Sequence, residues 1–223
     1  MNNTNVFIDF DSTFVQVETL EEIILVSYSP DAPKSGILQE IQNKITDLAM
    51  IWDICFWKAL EARISLLDIN KENIEHTVDS LKKKITPSFL KNKEFIKQNK
   101  ENIYILSWGF RECIIPITNE FWIDESHVFA NEFLYDINGN IKWIDTRNPL
   151  SQDWGKVKIV NDLNLPGKKI SILDGWNDYK LKEGKAVDTF FAFIENVERD
   201  KVVQAADETL ETFDDFIKWT EKK

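Results

Sequence analysis

The run Val6-Phe7-Ile8-Asp9-Phe10, short, apolar and carrying an acid at its end, constrains this chain more than any other feature. It reads as a buried strand that delivers Asp9 to its C-terminal tip. The same form recurs twice: Ile103-Tyr104-Ile105-Leu106 runs into Ser107-Trp108-Gly109, and Lys169-Ile170-Ser171-Ile172-Leu173 runs into Asp174. A last strand is expected near Thr189–Phe193. Helical stretches separate these runs. Strands that alternate with helices and end in polar residues predict an open α/β fold, its sheet mostly parallel and its site at the carboxyl edge.

The segment between the first two strands is unusual. From Glu18 to Lys84 the apolar spacing is helical, with faces at Leu20, Ile23, Ile24 and Ser27, at Ile41, Ile45, Leu48 and Ala49, and at Ile74, Val78, Leu81 and Ile85. A crossover between parallel strands needs only about a dozen residues, so an inserted helical subdomain over 15–86 is expected. Pro87 punctuates its end. Helices are expected over 89–100, 155–164 and near Leu210–Lys222, and Asn138-Gly139 predicts a two-residue hairpin between Phe133 and Trp143.

Composition narrows the function classes. Lysine and arginine total 27 against 38 acids, a formal charge of −11. A nucleic-acid binder needs a basic face to displace counterions, and an anionic membrane surface would repel this chain; neither partner is expected. The start lacks a basic region and its apolar run stops at Asp9, so no signal peptide is expected. The apolar stretch near residues 48–60 is broken by Asp53 and Lys58, too short to span a bilayer. Cys55 and Cys113 form no Cys-x-x-Cys pair, which supports neither a disulfide framework nor a structural zinc site. A cytoplasmic protein is the expectation. His76 and His127 fit no ligand or triad spacing.

Chemistry concentrates at the strand ends. Asp9-Phe10-Asp11-Ser12-Thr13 follows one strand and Asp174-Gly175-Trp176-Asn177-Asp178 another. If the two tips are neighbours, Asp9, Asp11, Asp174 and Asp178 meet. Clustered carboxylates raise one another's pKa unless a cation compensates, and hard oxygen donors completed by a phosphate suit Mg²⁺.

These residues, with Ser107 and Lys156 between them, occur in an order that resembles the haloacid dehalogenase superfamily, and more narrowly its phosphoserine phosphatases. Glu18-Thr19-Leu20-Glu21-Glu22-Ile23 and Ala62-Arg63-Ile64-Ser65-Leu66-Leu67 also resemble that family's cap. The resemblance implies a Rossmann-like core, residues 1–14 and 87–223, carrying a helical cap over 15–86. It implies that Asp9 is the nucleophile and forms an aspartyl-phosphate. Asp11 would protonate the leaving alkoxide and then deprotonate water. Ser107 would donate to a phosphoryl oxygen, with the backbone of Trp108 and Gly109 beside it, and Lys156 would neutralise the transferring group. Asp9, Asp11, Asp174 and Asp178 would serve Mg²⁺, Asp174 directly, while Asn177 and Asp178 hold its waters or Lys156. Arginine is scarce, at Arg63, Arg111, Arg147 and Arg199. Arg63 matches the cap arginine that grips a substrate carboxylate, Glu18 the acid that meets the substrate amine, and Phe56 the apolar residue that shields the site.

The chain departs from that family's pattern at three places. Trp108 and Leu173 stand where it usually has glycine, and Trp154 stands where it has a small residue. A bulky Trp108 predicts a narrowed pocket. The expected activity is Mg²⁺-dependent hydrolysis of a small phosphorylated metabolite, phosphoserine first. The alternatives are a phosphatase or phosphotransferase for another such metabolite, and a catalytically weak relative with a binding role.

Overall fold

The computed structural model describes residues 3–27, 40, 41, 44, 56–65 and 68–222. Apart from Ile41, the helical face expected at Ile41, Ile45, Leu48 and Ala49 lies outside them, as does Cys55.

In chain order the elements are β1 (Thr4–Ile8), α1 (Thr19–Ser27), α2 (Phe56–Ser65), α3 (Lys71–Leu81), α4 (Pro87–Lys91), α5 (Lys93–Gln98), β2 (Ile103–Phe110) and α6 (Arg111–Thr118). There follow β3 (Val128–Asn131), β4 (Phe133–Tyr135), β5 (Ile141–Ile144), α7 (Gly155–Asp162), β6 (Lys168–Leu173) and α8 (Lys180–Glu183). The chain closes with β7 (Thr189–Phe193), α9 (Asp200–Ala205), β8 (Glu208–Leu210) and α10 (Phe213–Glu221).

Six strands form one parallel sheet in the order β3-β2-β1-β6-β7-β8. The chain leaves β1 toward β2 and β3, then crosses back to β6 and continues toward β7 and β8. Its direction therefore reverses between β1 and β6, where open α/β sheets place their crevice. Register aligns Ile8 with Ile172, and the Asp9 amide donates to the Ile172 carbonyl at 3.0 Å. The acids that follow the two strands are thus neighbours.

Alternation along β1 explains the layering. Val6 and Ile8 face one core with Ile105, Ile172, Phe191 and the helices α1, α3 and α10. Phe7 faces the other with Leu106, Leu173, Val160 and Leu181. Each such buried side chain stabilises the fold by about 1.5–3 kcal/mol, and β1 contributes on both faces. Among the described residues of the long inter-strand segment, Leu20, Ile23, Leu60, Ile64, Ile74, Val78 and Leu81 join the first core. The segment is also tied by backbone bonds to the β4–β5 hairpin: Lys71 N donates to Gly139 O at 3.1 Å and Ile141 N to Ile69 O at 2.9 Å.

Three expectations change in detail. The hairpin turn is wider than two residues, because the Asp136 carboxylate collects the amides of Asn138 and Asn140 at 2.8 and 2.9 Å and stabilises a larger loop. The strand at Thr189–Phe193 is not the last: β8 flanks it, three residues long with two of them exposed, too short for a visible alternation. The helix expected over 89–100 is split into α4 and α5 at Asn92, whose side chain bonds back to the Ser88 carbonyl at 2.8 Å.

Candidate active site

Asp9 lies at the tip of β1, 5% exposed. One of its oxygens accepts from the Phe10 amide at 2.7 Å and the other from Lys156 Nζ at 2.8 Å. The chain then turns sharply, with Ser12 at φ 53° and the Val15 amide closing on Phe10 O at 2.9 Å. This turn brings Asp11 back to α1, where its Oδ1 accepts from the Thr19 amide at 2.9 Å and from the Thr19 hydroxyl. Thr86 braces the loop by donating to Thr13 O at 2.6 Å, and Asn196 donates to the Thr86 hydroxyl at 2.7 Å.

β2 runs past the strand end expected at Ser107 to Phe110, its pairing with β3 shifting register after Leu106, and it carries Ser107, fully buried, whose Oγ accepts from the Gly109 amide at 2.9 Å. A Cβ at Gly109 would sit 3.2 Å from both Asp11 Oδ2 and Ser107 Oγ. Glycine there leaves the space between those two groups open. The end of β6 supplies Asp174, which accepts from Thr13 Oγ1 at 3.0 Å and pairs with Arg199.

Lys156 enters from the first turn of α7. Gly155 makes this geometry available, since a Cβ there would collide with the Pro149 carbonyl. With 2% of its side chain exposed, Lys156 pairs with Asp9 at 2.8 Å and with Asp178 at 2.7 Å. A lysine so enclosed is retained by its two carboxylates; removing both would strand a buried charge at a cost of about 3–5 kcal/mol. Burial pulls its pKa down, but Asp178 and Asp9 outweigh that and leave it above the ordinary lysine value.

The acids move the other way. Burial, with the Asp178 and Asp174 charges added, holds Asp9 well above the usual carboxylate range despite Lys156. Burial and neighbouring Glu18 push Asp11 up to about 7. Asp174 is likewise pushed up to about 7, by burial first and by Glu18 and Asp178, with Arg199 opposing.

One pocket of about 120 Å³ collects Asp9, Asp11, Glu18, Arg63, Trp108, Gly109, Asp174, Asn177, Asp178 and Arg199. That is room for a small ligand. Strand ends form one wall; Glu18, Leu20, Ala59, Leu60 and Arg63 form the opposite one. Glu18 accepts from Ser12 Oγ at 2.6 Å. Burial lowers the Arg63 pKa, and Glu18, Glu21 and Asp11 oppose that shift. Asn177 Oδ1 is buried with no hydrogen-bond partner among the described residues. Phe56 opens α2, and its side chain lies outside the described residues.

Asp9, Asp11 and Asp174 offer hard oxygen donors whose mutual repulsion a divalent cation would relieve, so the donor set fits Mg²⁺. No three acidic, histidine or cysteine side chains among the described residues make a ready cage. Asp178 lines the same pocket, and its Oδ1 contacts Lys156 and Trp108.

Sequence reasoning assigned no role to Arg199, Thr13 or Thr19. Arginine scarcity was the one available signal for Arg199. The two threonines carry none, because only the turn at Ser12 brings their hydroxyls to acids.

No family model matches the chain. It is 27% identical over 175 residues to the chloroplastic phosphoserine phosphatase of Arabidopsis thaliana, covering 77% of this chain. The chain spans only 59% of that relative's length. It is 25% identical over 197 residues to human phosphoserine phosphatase, with 87% of this chain and 83% of the relative covered. It is 28% identical over 187 residues to the Methanocaldococcus jannaschii phosphoserine phosphatase, with 79% of each covered. Among solved structures, a phosphoserine phosphohydrolase-like protein from Francisella tularensis superposes with a TM-score of 0.83 at 27% identity, covering 97% of this chain and 99% of that one. A substrate-bound phosphoserine phosphatase complex superposes at 0.76 and 23% identity over 98% of each chain, a likeness of fold. No helix among the described residues is long and apolar enough to cross a membrane. Likeness runs through most of the sequence, on a parallel sheet whose reversal point gathers these acids, and it makes this chain similar to the phosphoserine phosphatases, hydrolases of the haloacid dehalogenase superfamily.

Proposed function

We propose that the chain hydrolyses O-phospho-L-serine to L-serine and phosphate through a phosphoryl group carried on Asp9. The observation that carries this reading is the meeting of Asp9, Asp11 and Asp174 in one small pocket with Arg63 and Glu18, while Lys156, from the first turn of α7, pairs with Asp9. Asp9 attacks phosphorus with the oxygen not held by Lys156, and the bond to the serine oxygen breaks in line. Asp11, with a pKa near neutrality and Oδ2 facing the gap beside Gly109, gives its proton to the leaving alkoxide. It then takes a proton from the water that attacks the aspartyl-phosphate. Ser107 Oγ and the Gly109 amide flank the phosphoryl oxygens, and Lys156 offsets the charge that develops on them. Asp9 and Asp174 would hold Mg²⁺, which would neutralise charge on the phosphate and keep those two acids ionised, while the Asp11 carboxyl keeps its proton for the transfer.

The opposite wall reads what is not phosphate. Arg63 presents a planar fork to the substrate carboxylate, and Glu18 an acceptor to its ammonium group. We read residues 15–86 as a helical cap over a core of 1–14 and 87–223; the support is that this wall comes from α1 and α2 while the catalytic wall comes from strand ends.

The test is phosphate release from a panel of phosphorylated amino acids, sugars and aryl phosphates, each with Mg²⁺ and with chelator. Metal-dependent release, fastest from phosphoserine, is the expected result. Faster release from another metabolite would move the substrate and keep the chemistry. Silence across the panel would favour a binding role.

A further inference from the structure

We infer that Trp108 is a positioning residue: its indole N–H anchors Asp178, which in turn holds Lys156 against Asp9. The sequence suggests a different role, a bulky ring that narrows the pocket. The structure shows the ring engaged with the catalytic lysine's partner. Trp108 Nε1 donates to Asp178 Oδ1 at 3.1 Å, and that same oxygen lies 2.7 Å from Lys156 Nζ. The Lys156 ammonium also sits over the Trp108 ring, 5.4 Å from its centroid, within the range of a cation–π attraction.

The arrangement has physical consequences. Asp178 is 2% exposed and Lys156 2%, so neither exchanges its partners for water. An acid that accepts from one cation alone can swing about its Cα–Cβ bond; a second donor fixed to the strand end removes that freedom. The donor itself is anchored, because Asn131, fully buried on β3, donates from Nδ2 to the Trp108 carbonyl at 2.8 Å. On the far side, a Cβ on Gly175 would approach Asp178 Oδ2 to 2.7 Å, so the acid is also boxed in by backbone. A chain of contacts therefore runs from Asn131 through Trp108, Asp178 and Lys156 to Asp9. Trp108 never needs to touch the substrate to act in it. Without the indole, Lys156 would share itself differently between Asp178 and Asp9, and its ammonium would drift from the position where transferred charge develops.

This role rests on the phosphatase reading above, and the experiment separates the two. Trp108→Phe keeps a ring over Lys156 and deletes the N–H. With wild-type turnover established on phosphoserine and an aryl phosphate, Trp108→Phe is expected to lower kcat about tenfold on both while KM stays within about twofold, the signature of an interaction made in the transition state. In an Asp178→Ala background the same substitution should cost less than about twofold, since the bond it removes ends on Asp178. A direct readout is the Trp108 indole ¹⁵N–¹H resonance, identified by its loss in Trp108→Phe; it should shift in Asp178→Ala without any substrate present. Unchanged kcat in Trp108→Phe, an equal loss in the Asp178→Ala background, or an indole resonance indifferent to Asp178 would each overturn the role. A Trp108→Gly enzyme that gains activity on bulky esters with kcat on phosphoserine unchanged would leave Trp108 no role beyond the pocket wall and overturn the positioning role. Should the wild type hydrolyse nothing, the phosphatase reading falls and this role with it. An active wild type with a normal Trp108→Phe removes the role alone.

Discussion

The two walls of the pocket are built on different terms. On the strand wall each acid is held from at least two sides: Asp9 by Phe10 and Lys156, Asp11 by two groups of Thr19, Asp174 by Thr13 and Arg199, Asp178 by Lys156 and Trp108. On the helical wall Glu18 shares a hydroxyl proton with Ser12, and Arg63 projects from α2 among Glu18, Glu21 and Asp11. Groups that move protons and charge gain from being fixed before the substrate arrives, because no reorganisation is then needed in the transition state. Groups that recognise the remainder of a substrate need only a complementary charge at the right distance. The comparison teaches that chemistry and selectivity are separable here, and substitutions on each wall should fail in different ways.

The largest effects belong to the strand wall. Asp9→Asn should reduce turnover of every ester to the level of buffer, with the folded spectrum retained. Asp11→Asn should lower kcat on the order of 10²–10⁴-fold, the usual worth of a positioned proton donor, while beryllium fluoride or phosphate still binds. Near-normal turnover by either variant, measured as released phosphate, would dissolve the distinction between the walls.

A smaller and selective effect belongs to the helical wall. A desolvated charge-assisted contact is worth about 1.5–3 kcal/mol, so Arg63→Ala should cost about ten- to a hundredfold in kcat/KM for phosphoserine. An aryl phosphate, which lacks a carboxylate, should be nearly unaffected. Arg63→Lys should recover little, because a point charge does not reproduce the fork. Equal losses on both substrates would make Arg63 structural and leave phosphoserine without its main support.

The smallest effect concerns stability. Asp174 is raised from 3.8 to about 7 in the folded protein. The folded state therefore favours the protonated acid, and the stability it lends is full below pH 3.8 and lost as pH rises through about 7. Asp11 follows the same sign over the same window. Metal-free protein should accordingly melt lower at pH 8 than its other groups alone would dictate, and Asp174→Asn should flatten that dependence between about pH 4 and 7. Saturating Mg²⁺ should raise the melting temperature most at the alkaline end, since it binds the ionised acids of the folded state. A flat metal-free profile, or no Mg²⁺ effect, would show that the acids do not form one charge cluster.

How legible this site is in the sequence depends on what kind of group carries each part. The strand ends announce themselves because an apolar run must stop where its carboxyl edge meets the crevice, so Asp9, Ser107 and Asp174 could be placed from pattern. Lys156 follows from the Gly155-Lys156 pair, and the reason for the glycine, collision with Pro149, becomes visible only in three dimensions. Arg199 stayed unassigned because it reaches Asp174 from the loop after β7, which has no periodicity to read. Trp108 lines the pocket, as its size suggests, but a sequence does not show that its one N–H points to Asp178. In the fold, β3 and β8 escaped for a similar reason. A strand of three or four residues is specified by the neighbour it pairs with more than by its own alternation.

The central claim, that Asp9 carries the phosphoryl group, is open to one direct measurement. Enzyme mixed with O-phospho-L-serine and Mg²⁺, quenched in acid during turnover and digested, should yield the peptide bearing Asp9 with a phosphate adduct on that residue. Asp11→Asn, slow to release the intermediate, should accumulate more of it. An adduct on any other residue, or steady turnover with Asp9 never labelled, would contradict the account.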